Sequence, residues 1–472
     1  MSNSENLADA EWNFLTAVAN AAFANPFGED RARLDNDLVG DNRFDEFLKK
    51  LSLTLDKAGS AKTLSERQRK IYETSHLFSV FHTFTTQFDT HVEQQLQNSN
   101  ECLTLPFGDH LADALRGVLK SESKVNHFVS IFFQLRRAFY FIGRALPGNC
   151  PSMQNLRKDL WDVLFTSDPI RYERFLIGRM EDFSLLFVGE TGSGKSSAAS
   201  AVGRSGYISF DAKQKCFVEN FNKIFMHVNL SQYNETLIES ELFGHRKGSF
   251  TGAIENKEGI LSQSSSCGHI FLDEIGDISL PIQVKLLNVL QERKFSPIGG
   301  HNEKKFRGRV LAATNKSIDT LINQGKLRKD FYYRLCTTTI TLPSLRQRIC
   351  ENTDELKTLV NHIVARVVGE DSEEYSDLVL RNLQGPWVRT YPWPGNVREL
   401  EQYVRRIILN GNLVLGQTPP SELEDFLRSP CSAEELVSWY CKKLFAQHKE
   451  YTRVAEITKL DRRTVKRYIS SI

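Results

Sequence analysis

The stretch Gly189-Glu-Thr-Gly-Ser-Gly-Lys-Ser196 constrains this chain more than any other. It fits the pattern G-x-x-x-x-G-K-[ST], which works only where a strand turns into a helix. Both neighbours are present: the apolar run Phe183–Val188 leads in, and the small-residue run Ala198–Val202 leads out. Gly189, Gly192 and Gly194 let backbone N–H groups converge on phosphate oxygens, and the helix N-terminus adds partial positive charge. The whole loop, Glu190, Thr191 and Ser193 included, is expected to cradle a nucleoside triphosphate, with ATP the expected one. Lys195 should neutralise the β- and γ-phosphates, and Ser196 should ligate Mg2+.

A loop of this kind sits on a parallel sheet, and the chain offers further strands for one. Met226–Leu230, His269–Leu272 and Val310–Ala313 are short apolar runs that end in polar turns, as buried parallel strands do. The run His269–Leu272 continues into Asp273-Glu274. Asp273, at a strand end, is placed to hold Mg2+ through water, and Glu274 to polarise an attacking water. An Asp-Glu pair about 80 residues after such a loop points to a hydrolase rather than a passive nucleotide binder.

Composition narrows the rest. The 472 residues allow two to four domains, and 60 basic against 58 acidic residues leave a net charge of +2, so only local charge can speak of partners. The eight cysteines are scattered without metal or redox spacing, the first residues lack a basic-then-apolar leader, and no stretch of about 18 apolar residues exists. A cytoplasmic protein that does not enter a membrane is expected. Before Gly143, Phe78, Phe81, Phe84 and Phe88 recur at helical spacing, as do Phe128, Phe132, Leu135 and Phe139, so this region is expected to be all-α. His76, His82 and His91 do not share a helical face, and no metal is expected on them. An acidic cluster of the phosphoreceiver kind is not found there either.

Between the loop and the Asp-Glu pair lies Glu239-Ser-Glu-Leu-Phe-Gly-His-Arg-Lys-Gly-Ser-Phe-Thr-Gly-Ala253. This resembles the signature of the bacterial enhancer-binding proteins, the AAA+ activators of sigma-54 RNA polymerase, whose hallmark is Gly-Ala-Phe-Thr-Gly-Ala. Phe271–Asp277, Gln283–Glu292, Ala312–Asn315, Leu327–Leu335 and Trp393–Leu400 follow in the family's order, so the resemblance runs from about Pro147 to Leu409. It implies that Gly248, Ser249, Phe250, Thr251, Gly252 and Ala253 form the loop that contacts the sigma factor. Glycines at either end let that backbone refold at little cost. It implies that Thr314 and Asn315 sense the γ-phosphate, that Asn229 restrains Glu274, and that Arg398 touches the nucleotide in cis. Arg328 and Arg334 stand where the family places arginines that reach a neighbouring subunit's nucleotide, which implies a homo-oligomer, dimers assembling to a hexameric ring. Ser249 replaces Ala in the hallmark, Arg246 stands where Glu is usual, and Ser196 where many members carry Glu. The segment after Arg348 lacks the family's usual acidic continuation and reads Ile-Cys-Glu-Asn-Thr-Asp instead, where the lid is expected to start.

The chain ends in a basic segment. From His448 onward seven basic residues face three acidic ones, a net of +4. Two short helices are expected about a turn near Leu460-Asp461, preceded by a helix that a capping box at Ser432-Ala-Glu-Glu435 starts. The arrangement resembles a helix-turn-helix, with Arg462, Arg463, Lys466 and Arg467 on or beside the helix that would enter a major groove.

The expected architecture is therefore multidomain: a helical amino-terminal regulatory domain (1–143), an α/β P-loop ATPase core of the AAA+ kind (144–345), its helical lid (346–415), and a carboxyl-terminal helix-turn-helix (432–472). The expected activity is ATP hydrolysis that remodels the closed complex of sigma-54 polymerase on a promoter, with double-stranded DNA upstream as a further partner. Two rivals stand beside it: a regulator of the same lineage that no longer engages sigma-54, and an AAA+ remodelling chaperone.

Overall fold

The computed structural model describes residues 7–39, 44–59, 64–369, 372–383, 387–411 and 432–470. They fall into two compact units that part at Leu409–Asn410. The last residues of the expected lid, 412–415, and those up to 431 lie outside the described residues.

The first unit is built on a five-stranded parallel sheet. Its strands are β1 (Leu185–Val188), β2 (Phe225–Asn229), β3 (His269–Asp273), β4 (Arg309–Thr314) and β5 (Thr338–Thr341), in spatial order β5-β1-β4-β3-β2. β3 and β4 are buried along their whole length, which is why they read as unbroken apolar runs. β5 has no such run: it is an edge strand of three threonines in which only Ile340 is buried. Register brings Val188 beside Thr314 and Asn229 beside Asp273, so the polar strand ends lie along one edge of the sheet. Ligands of open α/β sheets bind at that carboxyl edge.

The longer helices before the sheet, among the described residues, are α1 (Asp9–Phe23), α2 (Glu29–Val39), α3 (Phe44–Gly59), α4 (Glu66–Thr83), α5 (Thr85–Gln97), α6 (Gly108–Arg116), α7 (Glu122–Ala145) and α8 (Pro151–Phe165). The phenylalanine spacing through 78–88 crosses a break, because Phe84 ends α4 and opens α5 at φ −104°, ψ 6°. Leu15, Leu51, Leu55 and Phe78 form a small core among the first helices. Phe88, Phe133, Phe141 and Phe165 instead join Phe187, Val202 and Leu311 of the sheet layer in one continuous core. The apolar interior therefore crosses Gly143 without interruption.

Arg137 of α7 makes the polar part of this junction. It is fully buried, donates from Nη1 to the carbonyl of Arg204 and from Nη2 to that of Gly206, both at 2.6 Å, and its guanidinium lies over the Phe133 ring. Those carbonyls follow the helix that starts at Lys195, α9 (Lys195–Gly203), so a cation sits at the negative end of that helix. Burial pushes the Arg137 guanidinium down to about 9. His82 and His91 belong to the aromatic packing of the same region, and burial lowers them to about 3 and about 4.

After β5 the chain is helical, with Leu345–Glu351, Glu355–Val368, Glu373–Asn382 and Asn396–Asn410. The departure from the family pattern after Arg348 is accommodated by a buried pair. Arg348 and Glu355 meet at 2.6 Å with 4% and 0% of their side chains exposed, and Glu355 also accepts the backbone N–H of Asn149 at 2.8 Å.

The second unit holds the helices Ala433–His448, Tyr451–Thr458 and Arg462–Ser470, which close over Cys441, Leu444, Val454 and Val465. Ser432 and Glu435 form the capping box. Asp461 caps the last helix by accepting the N–H groups of Arg463 at 2.8 Å and Thr464 at 3.1 Å. No helix among the described residues is long and apolar enough to cross a membrane.

Candidate functional site

The loop Gly189–Ser196 leaves β1 and enters α9 as its pattern requires. Gly192 and Gly194 take left-handed φ values of +76° and +104°, where a side chain would be strained. Gly192 also has no room for one: a Cβ there would lie 2.2 Å from the carbonyl oxygen of Gly395. Lys195 is buried, and its Nζ donates to the carbonyls of Gly189 at 2.9 Å and Glu190 at 3.2 Å. Burial lowers its pKa, against the pull of Glu274 and Asp273. Ser193 Oγ is buried and unbonded inside the loop.

Asp273 ends β3 beside this loop. Ser196 Oγ donates to its Oδ2 at 3.1 Å, and His227 Nε2 lies 3.5 Å from the same oxygen. Burial pushes the Asp273 carboxyl up, but hydrogen bonds from His227 and Ser196, with the charge of Lys195, outweigh it and hold the group low. A hydroxyl and an ionised carboxylate at one point suit a hard divalent cation. His227 was not singled out by its sequence context. It shares a strand face with Asn229, and only the pairing of β2 with β3 brings it to Asp273.

Glu274 follows at φ 57°, ψ 49°, a left-handed conformation on a residue with a side chain. Burial raises its pKa against the opposing charge of Lys195. Its Oε2 accepts the backbone N–H of Asn315 at 3.3 Å, and the Asn315 side-chain nitrogen donates to Thr191 Oγ1 at 3.0 Å. Asn315 thus ties the nucleotide loop to the carboxylate, while Thr314 is wholly buried behind it. Asn229, which the resemblance assigns to Glu274, has its side-chain oxygen on Ser231 instead, accepting N–H at 3.1 Å and O–H at 2.8 Å. It caps the short turn after β2 in this conformation.

The lid meets the loop through Trp393-Pro-Gly-Asn396. Asn396 is fully buried at φ 51°, donates to Glu190 Oε2 and to the Thr191 carbonyl, each at 3.1 Å, and accepts the Leu345 N–H at 2.7 Å. Arg346 grips the Glu190 carboxylate with both terminal nitrogens. Arg398 is exposed and carries no ion pair among the described residues, yet its charge is felt at Lys195.

The other expected residues lie apart from these contacts. Arg328 pairs with Asp330 at 2.6 Å and is half open to solvent, and Arg334 donates to the Leu290 carbonyl at 2.8 and 3.1 Å. The segment Gly248–Ala253 rises from a two-stranded stem, Gly244–His245 with Lys257–Glu258. Gly248 and Gly252 have positive φ, with nothing within 4 Å of where a Cβ would be. Thr251 is exposed. Phe250 is half-buried, its ring 4.9 Å from that of His245, and the exposed apolar side chain is Ile254, at 80%. The hairpin turn at Gly299 supports the segment by packing on Ser249. In the second unit Arg462, Arg463 and Lys466 are exposed, and Arg467 lies 4.0 Å from Glu434.

Residues 174–341 match the Sigma-54 interaction domain family. The chain is 34% identical over 318 residues to the DNA-binding transcriptional regulator NtrC of Azospirillum brasilense, covering 65% of this chain and 58% of that protein. It is 40% identical over 226 residues to the nitrogen fixation protein VnfA of Azotobacter vinelandii, covering 48% and 40%. It is 39% identical over 230 residues to the sigma54-dependent transcriptional activator SfnR of Pseudomonas putida, covering 48% and 57%. The matched region thus spans 58% or less of each of these relatives. A crystal structure of NtrX from Brucella abortus aligns with a TM-score of 0.41 at 22% identity, over 76% of this chain and 74% of that one.

Proposed function

We propose that the whole chain is a bacterial enhancer-binding protein, an ATP-driven activator of sigma-54 RNA polymerase; the match of residues 174–341 to the Sigma-54 interaction domain family supports this. The observation that carries the reading is the meeting of Lys195, Ser196, Asp273 and Glu274 at one sheet edge, with the loop Gly248–Ala253 inserted in the chain between the two halves of that site.

The chemistry follows from the environment of each group. The N–H groups of the loop and Lys195 take up the phosphates of ATP. Ser196 and Asp273 would hold Mg2+, which screens phosphate charge when bound. Glu274, at the end of a rigid strand, accepts a proton from the attacking water; a buried carboxylate with a raised pKa is a better base for that step near neutrality. Asn315 joins Glu274 to Thr191, so gain or loss of the γ-phosphate at the loop is transmitted to the carboxylate. Arg398 completes the site from the lid. Arg328 and Arg334 are engaged within their own subunit, and a ring of subunits would let one or both turn to a neighbour's phosphates, where a guanidinium stabilises the charge of transfer.

The loop converts that cycle into work. Phe250 rests on His245, and Thr251 is exposed on a backbone with two left-handed glycines. Release of Phe250 from His245 would present an aromatic ring together with a hydroxyl to the sigma factor. The three helices of 432–470 form a helix-turn-helix in this reading, with Arg462, Arg463 and Lys466 toward the phosphates and base edges of upstream DNA. Thr251→Ala tests the coupling. ATP turnover should stay within about twofold of wild type while open-complex formation by sigma-54 holoenzyme falls at least tenfold. Equal loss of both would make the loop a structural part of the ATPase.

A further inference from the structure

A cavity of about 260 Å3 lies at the opposite edge of the sheet from the nucleotide loop. It is walled by the first residues of β3 and β4, His269 and Arg309, and by α7, α8 and the turn that carries Tyr172. Its lining divides into an apolar part, with Leu164, Ile177 and Met180, and a polar part. Most of the polar groups are already satisfied. Tyr172 and Gln134 bond each other at 2.7 and 3.0 Å, and Tyr207 bonds His127 at 3.0 Å. Two groups are not. His269 is 5% exposed and its Nδ1 is buried without a partner. Arg309 is 3% exposed, and its two hydrogen bonds, from Nε to the Phe183 carbonyl at 2.7 Å and from Nη2 to the Val163 carbonyl at 3.0 Å, leave Nη1 unbonded and the charge without a carboxylate. Glu181, the one acid on the wall, has the charge of Arg293 beside it. A buried cation without a counterion is costly, and an unmet imidazole nitrogen adds to that cost.

We propose that this cavity is a binding site for a small organic carboxylate with an apolar body, held through Arg309 and His269. The volume falls just below the range of about 300–1,000 Å3 of drug-sized ligands, so the ligand is small. Inorganic phosphate would leave the apolar wall unused. The position gives the site a route to the catalytic residues. β3 runs from His269 to Asp273 and β4 from Arg309 to Thr314, so two rigid strands of roughly 13–17 Å begin in the cavity and end at the nucleotide. A ligand bridging the starts of these strands would bias their far ends. That coupling rests on the ATPase reading above; binding itself does not.

Isothermal titration of the full chain separates the two. Benzoate is the probe, with benzyl alcohol and inorganic phosphate as the neutral and the bare-anion controls. Saturable one-to-one binding of benzoate is expected, with neither control displacing it. Gly178→Leu should raise its Kd at least tenfold by narrowing the cavity, since Gly178 is part of its lining and a Cβ there meets nothing within 4 Å. His269→Phe should do the same while keeping a ring in place. Saturating benzoate should change ATP turnover at least twofold in wild type and not in the variants. No saturable benzoate binding, displacement of benzoate by phosphate, or unchanged affinity in Gly178→Leu would overturn the site, whether or not His269→Phe folds. Binding with unaltered turnover would overturn the coupling alone.

Discussion

Glu274 holds a left-handed backbone conformation at the end of a buried strand, and its carboxylate faces Lys195 and the Asn315 N–H. Its charge is therefore needed where its removal disturbs little packing. Glu274→Gln should lower ATP turnover by about 10^2–10^4 while leaving ATP affinity within a few-fold, because Lys195, Ser196 and Asp273 remain. Single-turnover hydrolysis beside equilibrium nucleotide binding checks this, and normal turnover would remove Glu274 from its role. Histidines make a second statement at this scale. His82, His91 and His269 are lowered to about 3, 4 and 3, all by burial first. In the unfolded chain they take up protons below about pH 6.5; in the folded chain they do not until about pH 4 or lower. Stability is thus full above pH 7 and falls as pH drops from 6.5 toward 4, by about 2 kcal/mol per histidine at pH 5. Urea melts at pH 7 and pH 5 measure the loss, and His82→Phe should reduce it. The residues of the nucleotide loop and the Asp-Glu pair were legible in sequence because their chemistry forces residue type and spacing together. His227, Arg137 and the cavity pair His269 and Arg309 were not, since each acquires its meaning from strand pairing or helix docking across long sequence separations.

Elements were legible where burial writes a pattern. Four of the five strands show as apolar runs, and β5 does not, because a threonine-rich edge strand looks like loop. Phe spacing announced helices in the amino-terminal region but not the break at Phe84, which needs no special residue. The lid shows how a departure from a family pattern can still build the same element. Where an acidic continuation is usual, Arg348 and Glu355 form a buried pair that also ties the turn at Asn149 to the lid. Glu355→Ala should destabilise the protein by about 3–5 kcal/mol, since Arg348 would be left buried without its partner. A loss under about 1 kcal/mol in denaturant unfolding would mean that the pair is replaceable. Gly192 plays the matching part on the other side of the lid, because only a residue without Cβ lets the loop approach Gly395.

At the scale of the whole molecule, the first unit joins the amino-terminal helices to the sheet layer through one core, with Arg137 at the end of the helix that follows the loop Gly189–Ser196. In the proposed reading a signal received by those helices reaches the site through packed side chains, since no break in the core separates them. In the same reading Arg328 and Arg334 would complete a neighbour's site only in an oligomer, and the carboxyl-terminal unit would bring that oligomer to DNA. These proposals converge on one outcome, which permanganate footprinting of a sigma-54 promoter reads directly. With purified chain, sigma-54 holoenzyme and ATP, thymines about the start site should become reactive, and with Glu274→Gln they should not. Thymines that stay protected while the wild-type chain hydrolyses ATP normally would contradict the account.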